Sequence, residues 1–179
     1  MEVLRDRIVA LDCDSVNRFT FRGVDTLARV YHIHDTDTIT IVFEWNQTWI
    51  KLNVRLNGID APELESKSSG ESEVCRKGCQ VLQKLIGNQI VRVILADFDK
   101  FGRPLATVYL PQPLEDDIET VNDYLVTWRY AKRYTGGTKS RWAPEELALV
   151  GIKNTTSEEI LPAPRAKKKS KSPCKRVIV

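Results

Sequence analysis

The sequence predicts an α+β protein, mainly β, with five strands and about three helices. One observation is a stretch between residues 26 and 59 in which apolar and polar residues alternate with the period of two that half-buried strands show. Another is that the periodicity then switches to that of a helix and back to that of strands. Periodicity alone indicates an antiparallel meander with helices and leaves the closure of the sheet open.

The first three strands are predicted at residues 26–34, 38–45 and 48–59, which are rich in β-branched and aromatic residues. The breaks between them, "DTD" and "NQ", are short and polar. Such breaks predict tight antiparallel connections. These three segments therefore form a meander.

A Ser/Gly/Glu-rich loop then leads into a predicted helix over 73–87, with Val74, Val81, Leu82, Leu85 and Ile86 mostly on one face and Gly87 as the C-terminal cap. The remaining elements are two further strands and two further helices. The strands span 89–98 and 104–110, and the helices span 121–131 and 144–151.

The ends of the chain differ from this middle part. Residues 1–19 show no clean period and are predicted to be an extension, residues 20–151 to be the folded domain, and residues 152–179 to be a linker and basic tail. The tail gains Pro, Ser and Lys and lacks the apolar residues needed for order, so we expect disorder. From Pro162 to Val179 it carries seven of the 27 basic residues and no acidic one, so residues 1–161 have 20 basic against 24 acidic groups.

Composition favours a soluble intracellular protein. Of 179 residues, 42% are hydrophobic and 28% are charged, as is usual for a globular domain. Residues 1–7 alternate in charge where a secretory signal would have its apolar region. We expect a monomer that has no membrane association, is not secreted, and resides in the cytoplasm, the nucleus or both.

The four cysteines are expected to be free thiols, because a reducing compartment disfavours disulfides. Cys75 and Cys79 share a helix face, and His32 and His34 lie on a predicted strand. This CxxxC and HxH order matches no standard zinc spacing, so buried thiols and strand histidines are favoured over a zinc site.

Charged residues gather at the predicted strand ends. Phosphodiester hydrolysis requires charge neutralisation on the phosphate, a positioned water and a group that accepts its proton. A cation held by carboxylates, together with arginine forks, meets these needs. The candidate groups are Asp35, Asp37, Arg55, Asp60, Glu63 and Arg103.

The order and spacing of the motifs carry a resemblance to a known family. "HDTDTITI", "VRLNGIDAPE" and "DKFGRPLATVYL", followed by "VNDYLV" and "RYAKRYTGG", resemble the staphylococcal nuclease (thermonuclease) family over roughly residues 26–137. The resemblance implies a five-stranded antiparallel Greek-key OB-fold barrel. It also implies Ca²⁺-dependent hydrolysis of DNA and RNA, with single-stranded DNA or RNA as the partner and with Mg²⁺ as an alternative ion.

The resemblance implies specific roles for the metal-side residues. Asp37 and Asp60 resemble the calcium carboxylates, and Ala61 would supply a backbone carbonyl. Asp35 would support these ligands from behind without contacting the ion.

The resemblance also implies the catalytic groups. Glu63 resembles the residue that orients or deprotonates the attacking water, and Arg55 and Arg103 resemble the pair that grips the scissile phosphate. The implied reaction breaks the bond to the 5′ oxygen and leaves 3′-phosphate ends.

The sequence departs from the family pattern at two positions. Thr36 stands where the first family motif usually has Gly. A β-branched threonine would strain this turn if the turn needs a positive φ. Phe101 stands where a tyrosine touches nucleotide phosphate, so its ring is left to stack or pack. Lys100 and Tyr134 remain as predicted contacts to the nucleic acid.

The basic tail has three readings: a nuclear localisation signal, a nonspecific nucleic-acid tether and a solubilising end. As a tether it would bind phosphate through lysines and release counterions. The predicted tail contacts are Lys167, Lys168, Lys169 and Lys171.

Two other functions compete with an active nuclease. One is a catalytically silent OB-fold module that binds nucleic acid or a protein; such modules typically lack catalytic acids or arginines, which this chain keeps. The other is a small-molecule or sugar-binding OB protein, which nothing beyond the fold supports.

Overall fold

A computed structural model describes residues 1–65, 69–114, 118–137 and 140–153. Its central feature is a β-barrel in which β1 (Asp25–Asp35), β2 (Thr38–Trp45) and β3 (Thr48–Leu56) form the predicted meander. The β2–β3 connection is a tight turn with positive φ at both Asn46 (48°) and Gln47 (62°). Positive φ at both central residues matches the right-handed twist of the two strands.

The other half of the barrel contains β5 (Ile90–Phe98) and β6 (Pro104–Leu114), after the short strand β4 (Ile59–Asp60). Neighbouring strands follow the order β3-β2-β1-β5-β6. A parallel pairing of β3 with β6, Arg55 with Leu105 and Leu56 with Ala106, closes the barrel. The fold is therefore the predicted OB-type barrel, with one parallel pair at its closure.

Helices cover the barrel. Helix α2 (Ser69–Ile86) packs on β1 and buries Leu82 and Ile86, as its periodicity predicts. Gly87 follows the last helical residue, but the left-handed conformation expected there belongs to Asn88, with φ 60°. Asn tolerates this conformation because its short polar side chain bonds locally.

Helix α3 (Val121–Thr127) and helix α4 (Pro144–Ala148) are both shorter than the sequence predicts. Three short strands were not predicted as separate elements. The strand expected over 48–59 ends at Leu56 and is followed by β4. The other two are β7 (Ile118–Thr120), which pairs with β6, and β8 (Lys132–Arg133), which pairs with β4. Each has two or three residues, too few for a period to be recognised.

The N-terminal extension contains helix α1 (Glu2–Val9), which was not predicted and buries none of its residues. A 3₁₀ turn follows at Cys13–Ser15. Phe21, only 4% exposed, then enters the core with its ring edge-on to Phe43 and Trp45. Residues 1–20 are all exposed, so Phe21 is the first buried residue of the chain.

The core lies inside the barrel, where alternate strand residues point inward. Among the described residues, Cys13, Cys75 and Cys79 are free thiols, as expected. No helix in this part of the chain has both the length and the apolar character needed to cross a membrane.

Candidate active site

The strand ends around the barrel closure surround a cleft of about 1330 Å³. Within residues 1–153, every predicted site residue except Asp60 lines this cleft. Those that line it are Asp35, Asp37, Arg55, Ala61, Glu63, Lys100, Phe101, Arg103 and Tyr134. Asp60 is buried beneath the lining and is only 4% exposed.

Asp37 and Asp60 meet at the guanidinium of Arg55. Nη2 of Arg55 lies 2.8 Å from Oδ2 of Asp37 and 3.2 Å from Oδ1 of Asp60, and it donates to the Ile59 carbonyl at 3.2 Å. Asp37 enters from the β1–β2 turn and Asp60 from β4, so the fold joins two distant segments here. All three side chains are about nine-tenths buried.

The charge balance at this point fits a hard cation. Burial raises the pKa of Asp37 to about 7, and the attraction of Arg55 only partly offsets this, while the nearby Asp35 carboxylate raises the pKa further. Two buried carboxylates thus share one guanidinium, and a divalent ion would complete their neutralisation. Within the described residues no three His, Cys, Asp or Glu side chains form a ligand set. The residues fit an ion that takes its other ligands from backbone carbonyls, water and substrate.

Thr36 adopts no positive φ, so the strain expected from its replacing glycine does not arise. It is 1% exposed, and its hydroxyl donates to the Cys75 carbonyl of α2 at 3.1 Å. A Cβ on Gly78 would lie 2.6 Å from Cγ2 of Thr36 and closer still to its Oγ1. The Thr36 side chain therefore packs directly against the helix at a position where glycine leaves room for it.

Arg103 is held at the other side of the cleft by Asp99, which sequence reasoning missed. Nε and Nη2 of Arg103 lie 2.8 and 2.7 Å from Oδ2 of Asp99, and Nη1 of Arg103 donates to the Thr38 hydroxyl at 3.3 Å. Burial raises the pKa of Asp99, but hydrogen bonds from Arg103 and the Phe101 N–H outweigh burial and leave it below its ordinary value. The signal was the spacing of Asp99 and Arg103 across a turn.

Phe101 is 71% exposed at the cleft and contacts two cations. The Lys100 ammonium lies 5.0 Å and the Arg103 guanidinium 5.5 Å from its ring centroid. The ring thereby flanks Arg103, but it lacks the hydroxyl group that a tyrosine at this position would have.

Glu63 is exposed in the segment after β4 and faces the cleft, while Ala61 is buried beside it. Tyr134 follows β8, its N–H donates to the Gly58 carbonyl at 2.9 Å, and its hydroxyl donates to the Gly137 carbonyl at 2.7 Å. The four tail lysines, Lys167, Lys168, Lys169 and Lys171, lie outside the described residues.

Asn122 was not predicted as a site residue, although it belongs to the "VNDYLV" motif. Its Nδ2 donates to the carbonyls of Asn57 (2.9 Å) and Ala106 (3.1 Å), and its Oδ1 accepts from the Val108 N–H (3.1 Å). This buried amide ties α3 to β6 and to the turn between Arg55 and Asp60.

Comparison with known proteins shows the family of the chain. The family model described as "Staphylococcal nuclease homologue" matches residues 53–150, just over half of the chain. The chain belongs to the staphylococcal nuclease family. The matched range begins within β3, so Asp37 and the first two strands of this nuclease-family domain lie before it.

Two curated relatives from rice, Oryza sativa subsp. japonica, carry the names "Probable staphylococcal-like nuclease CAN2" and "Probable staphylococcal-like nuclease CAN3". Each is 39% identical to this member of the nuclease family over 59 residues, which is 33% of this chain. The aligned region spans only 14% of each relative's own length.

Proposed function

We propose that this protein is a metal-dependent nuclease that hydrolyses phosphodiester bonds of single-stranded DNA or RNA and leaves 3′-phosphate ends. The observation that carries the proposal is the convergence of two buried carboxylates, two arginines and an exposed glutamate around one cleft. These five residues come from four separate segments, and a solvated surface gives no reason for them to meet.

The residues divide the chemistry between them. Arg55 and Arg103 grip the scissile phosphate, because planar guanidinium forks match its oxygens and stabilise charge that develops on them. Glu63 orients a water for in-line attack and accepts its proton. Asp99 positions Arg103 through its hydrogen bonds to the guanidinium.

Asp37 and Asp60, with the carbonyl of Ala61, would hold Ca²⁺, or Mg²⁺ in its place. When bound, the ion supplies Lewis-acid polarisation of the phosphoryl group. Binding would also require Arg55 to give up part of its contact with the carboxylates and turn toward phosphate.

A second candidate is a catalytically silent barrel that binds nucleic acid. The observation that favours it is the engagement of Arg55 with both Asp37 and Asp60, which directs the guanidinium at carboxylates of the chain itself and not at a phosphate.

A cleavage assay separates the two candidates. Single-stranded DNA and RNA oligonucleotides are incubated with the full-length protein in Ca²⁺, in Mg²⁺ and in EDTA. Glu63→Gln is the test variant, and Glu119→Gln, an exposed position on β7, is the matched control. We expect metal-dependent cutting that falls about 10²- to 10⁴-fold in Glu63→Gln and is unchanged in the control.

Product ends and binding complete the test. The products should carry a 3′ phosphate that blocks polymerase extension until a phosphatase removes it. Glu63→Gln should still bind the oligonucleotide, because only proton transfer and water positioning change. Binding without cutting in any metal would reject the enzyme and favour the silent barrel.

A further inference from the structure

The outer surface of β3 continues away from Arg55 as a row of exposed side chains. Because successive residues of a strand point to opposite faces, Arg55, Asn53, Lys51 and Trp49 all lie on the outside of the barrel. Their intervening neighbours point inward. At about 3.3 Å per residue, the row from Arg55 to Trp49 is about 20 Å long.

The first part of the row is polar and joins the cleft. Thr40 pairs with Asn53 across β2 and β3, and its hydroxyl donates to Oδ1 of Asn53 at 2.6 Å. Nε2 of His34 lies 2.7 Å from the same hydroxyl, and His34 itself lines the cleft. The surface is therefore continuous from the proposed catalytic groups onto the strand face.

The second part of the row lies near Tyr31 of β1, on the far side of β2, and combines aromatic rings with positive charge. Tyr31 is 62% exposed and Trp49 is 73% exposed. The Lys51 ammonium lies 4.0 Å from the Tyr31 ring centroid, and Lys51 pairs through Val42 of β2 with Arg29 of β1. Single exposed aromatics are ordinary, but two exposed rings on the strand face that leads from the cleft, one of them in contact with a lysine, are typical of a stacking platform.

We propose that Asn53, Lys51, Trp49 and Tyr31, here named the outer row, bind single-stranded nucleic acid that extends from the catalytic cleft. The proposal rests on the proposed nuclease function and adds a second contact region for the same substrate. Bases stack on Tyr31 and Trp49, and Lys51 pairs with a backbone phosphate. Glu44 lies directly across from Trp49, so that end binds through stacking and not through phosphate.

The chemistry selects an unpaired strand. Stacking on a side chain requires a base that is free of its partner, and duplex bases are stacked on one another. Barrels of this type engage about 4 to 16 nucleotides, more than a cleft at one strand end holds. The outer row supplies the additional length.

The test compares two substrate lengths. One substrate is a trinucleotide, which occupies only the cleft. The other is a 16-nucleotide single strand, which also reaches the outer row. Trp49→Ala and Lys51→Ala are measured beside Ile90→Ala, which removes a similarly exposed apolar side chain from β5, and Lys77→Ala, which removes an exposed cation from α2. The readouts are kcat/KM on each substrate and the Kd for the labelled 16-nucleotide strand by fluorescence anisotropy.

We expect Trp49→Ala to weaken binding and kcat/KM about 5- to 100-fold on the 16-nucleotide strand and to leave the trinucleotide unchanged. Lys51→Ala should in addition flatten the slope of log Kd against log salt by about 0.7. The control variants should behave as the unmodified protein does. Equal effects on both lengths, or none on either, would overturn the outer row.

Failure of the proposed nuclease function is distinguishable from failure of this inference. If the unmodified protein cuts neither substrate, anisotropy still decides. Loss of binding in Trp49→Ala but not in Ile90→Ala supports the outer row as a binding surface. Unchanged binding in Trp49→Ala refutes it.

Discussion

Replacement of Gly78 by Ala should destabilise the protein, although alanine is the better helix former. Gly78 lies within α2, directly over Thr36 of the β1–β2 turn. A new methyl group would lie 2.6 Å from Cγ2 and 3.0 Å from Cβ of Thr36, well inside ordinary van der Waals contact. Thr36 is 1% exposed and hydrogen-bonded to Cys75, so it has no space into which to move.

The size of the effect follows from two opposed contributions. Overpacking a filled site costs about 1–3 kcal/mol, and exchanging Gly for Ala inside a helix gains about 1 kcal/mol. The net loss for Gly78→Ala is therefore up to about 2 kcal/mol. With Thr36→Gly also present the clash is gone, and the same change should stabilise by about 1 kcal/mol.

A double-mutant cycle measures this coupling. The free energy of unfolding is obtained from urea denaturation of the unmodified protein, both single variants and the double variant. The cycle cancels the separate cost of Thr36→Gly, including its lost hydrogen bond to Cys75. We expect a coupling energy of about 1–3 kcal/mol. A Gly78→Ala protein that is more stable than the unmodified one, with coupling near zero, would refute the close packing of turn and helix.

Two further outcomes test the supports of the cleft. Asn122→Ala should lower the free energy of unfolding by about 2–4 kcal/mol in urea denaturation, because it leaves the buried carbonyl of Ala106 and its neighbours unpaired; a loss below about 1 kcal/mol would show that water replaces the amide. The lowered pKa of Asp99 means that its pair with Arg103 stabilises the fold above the ordinary carboxyl value of 3.8 and is lost as the pH falls through the lowered pKa. The unfolding free energy of Asp99→Asn should therefore fall less steeply on acidification below about pH 4, and parallel pH profiles would contradict this role.

Much of the barrel was predictable because its strands are long enough to show their alternation. Strand β2 was predicted at the residues where it occurs, 38–45, and helix α2 buries the apolar residues that its periodicity marks. The short pairing of β4 with β8 was not predictable, because two residues contain no period. Its position is set by the docking of distant segments.

The same distinction applies to the candidate site. Asp37, Arg55 and Arg103 were found from their position at strand ends, and the structure brings them to one cleft. Asp99 was missed because an acid at the start of a turn is ordinary there, so its spacing from Arg103 did not mark it as the residue that holds the guanidinium. The close contact between Thr36 and Gly78 joins residues that are 42 positions apart, so no local pattern in the sequence links them.

The parallel pairing that closes the barrel has a consequence for the order in which the candidate site assembles during synthesis. Arg55 meets its partner strand only at Leu105, after about two fifths of the remaining chain has been made. A growing chain on the ribosome already contains Asp37, Arg55, Asp60 and Glu63, but it has no closed barrel to hold them together. Because such long-range contacts form only once both segments are available, the cleft assembles after β6 has emerged. Under the proposed nuclease function, a chain that has not been synthesised as far as β6 therefore has no assembled cleft with which to cut the RNA being translated.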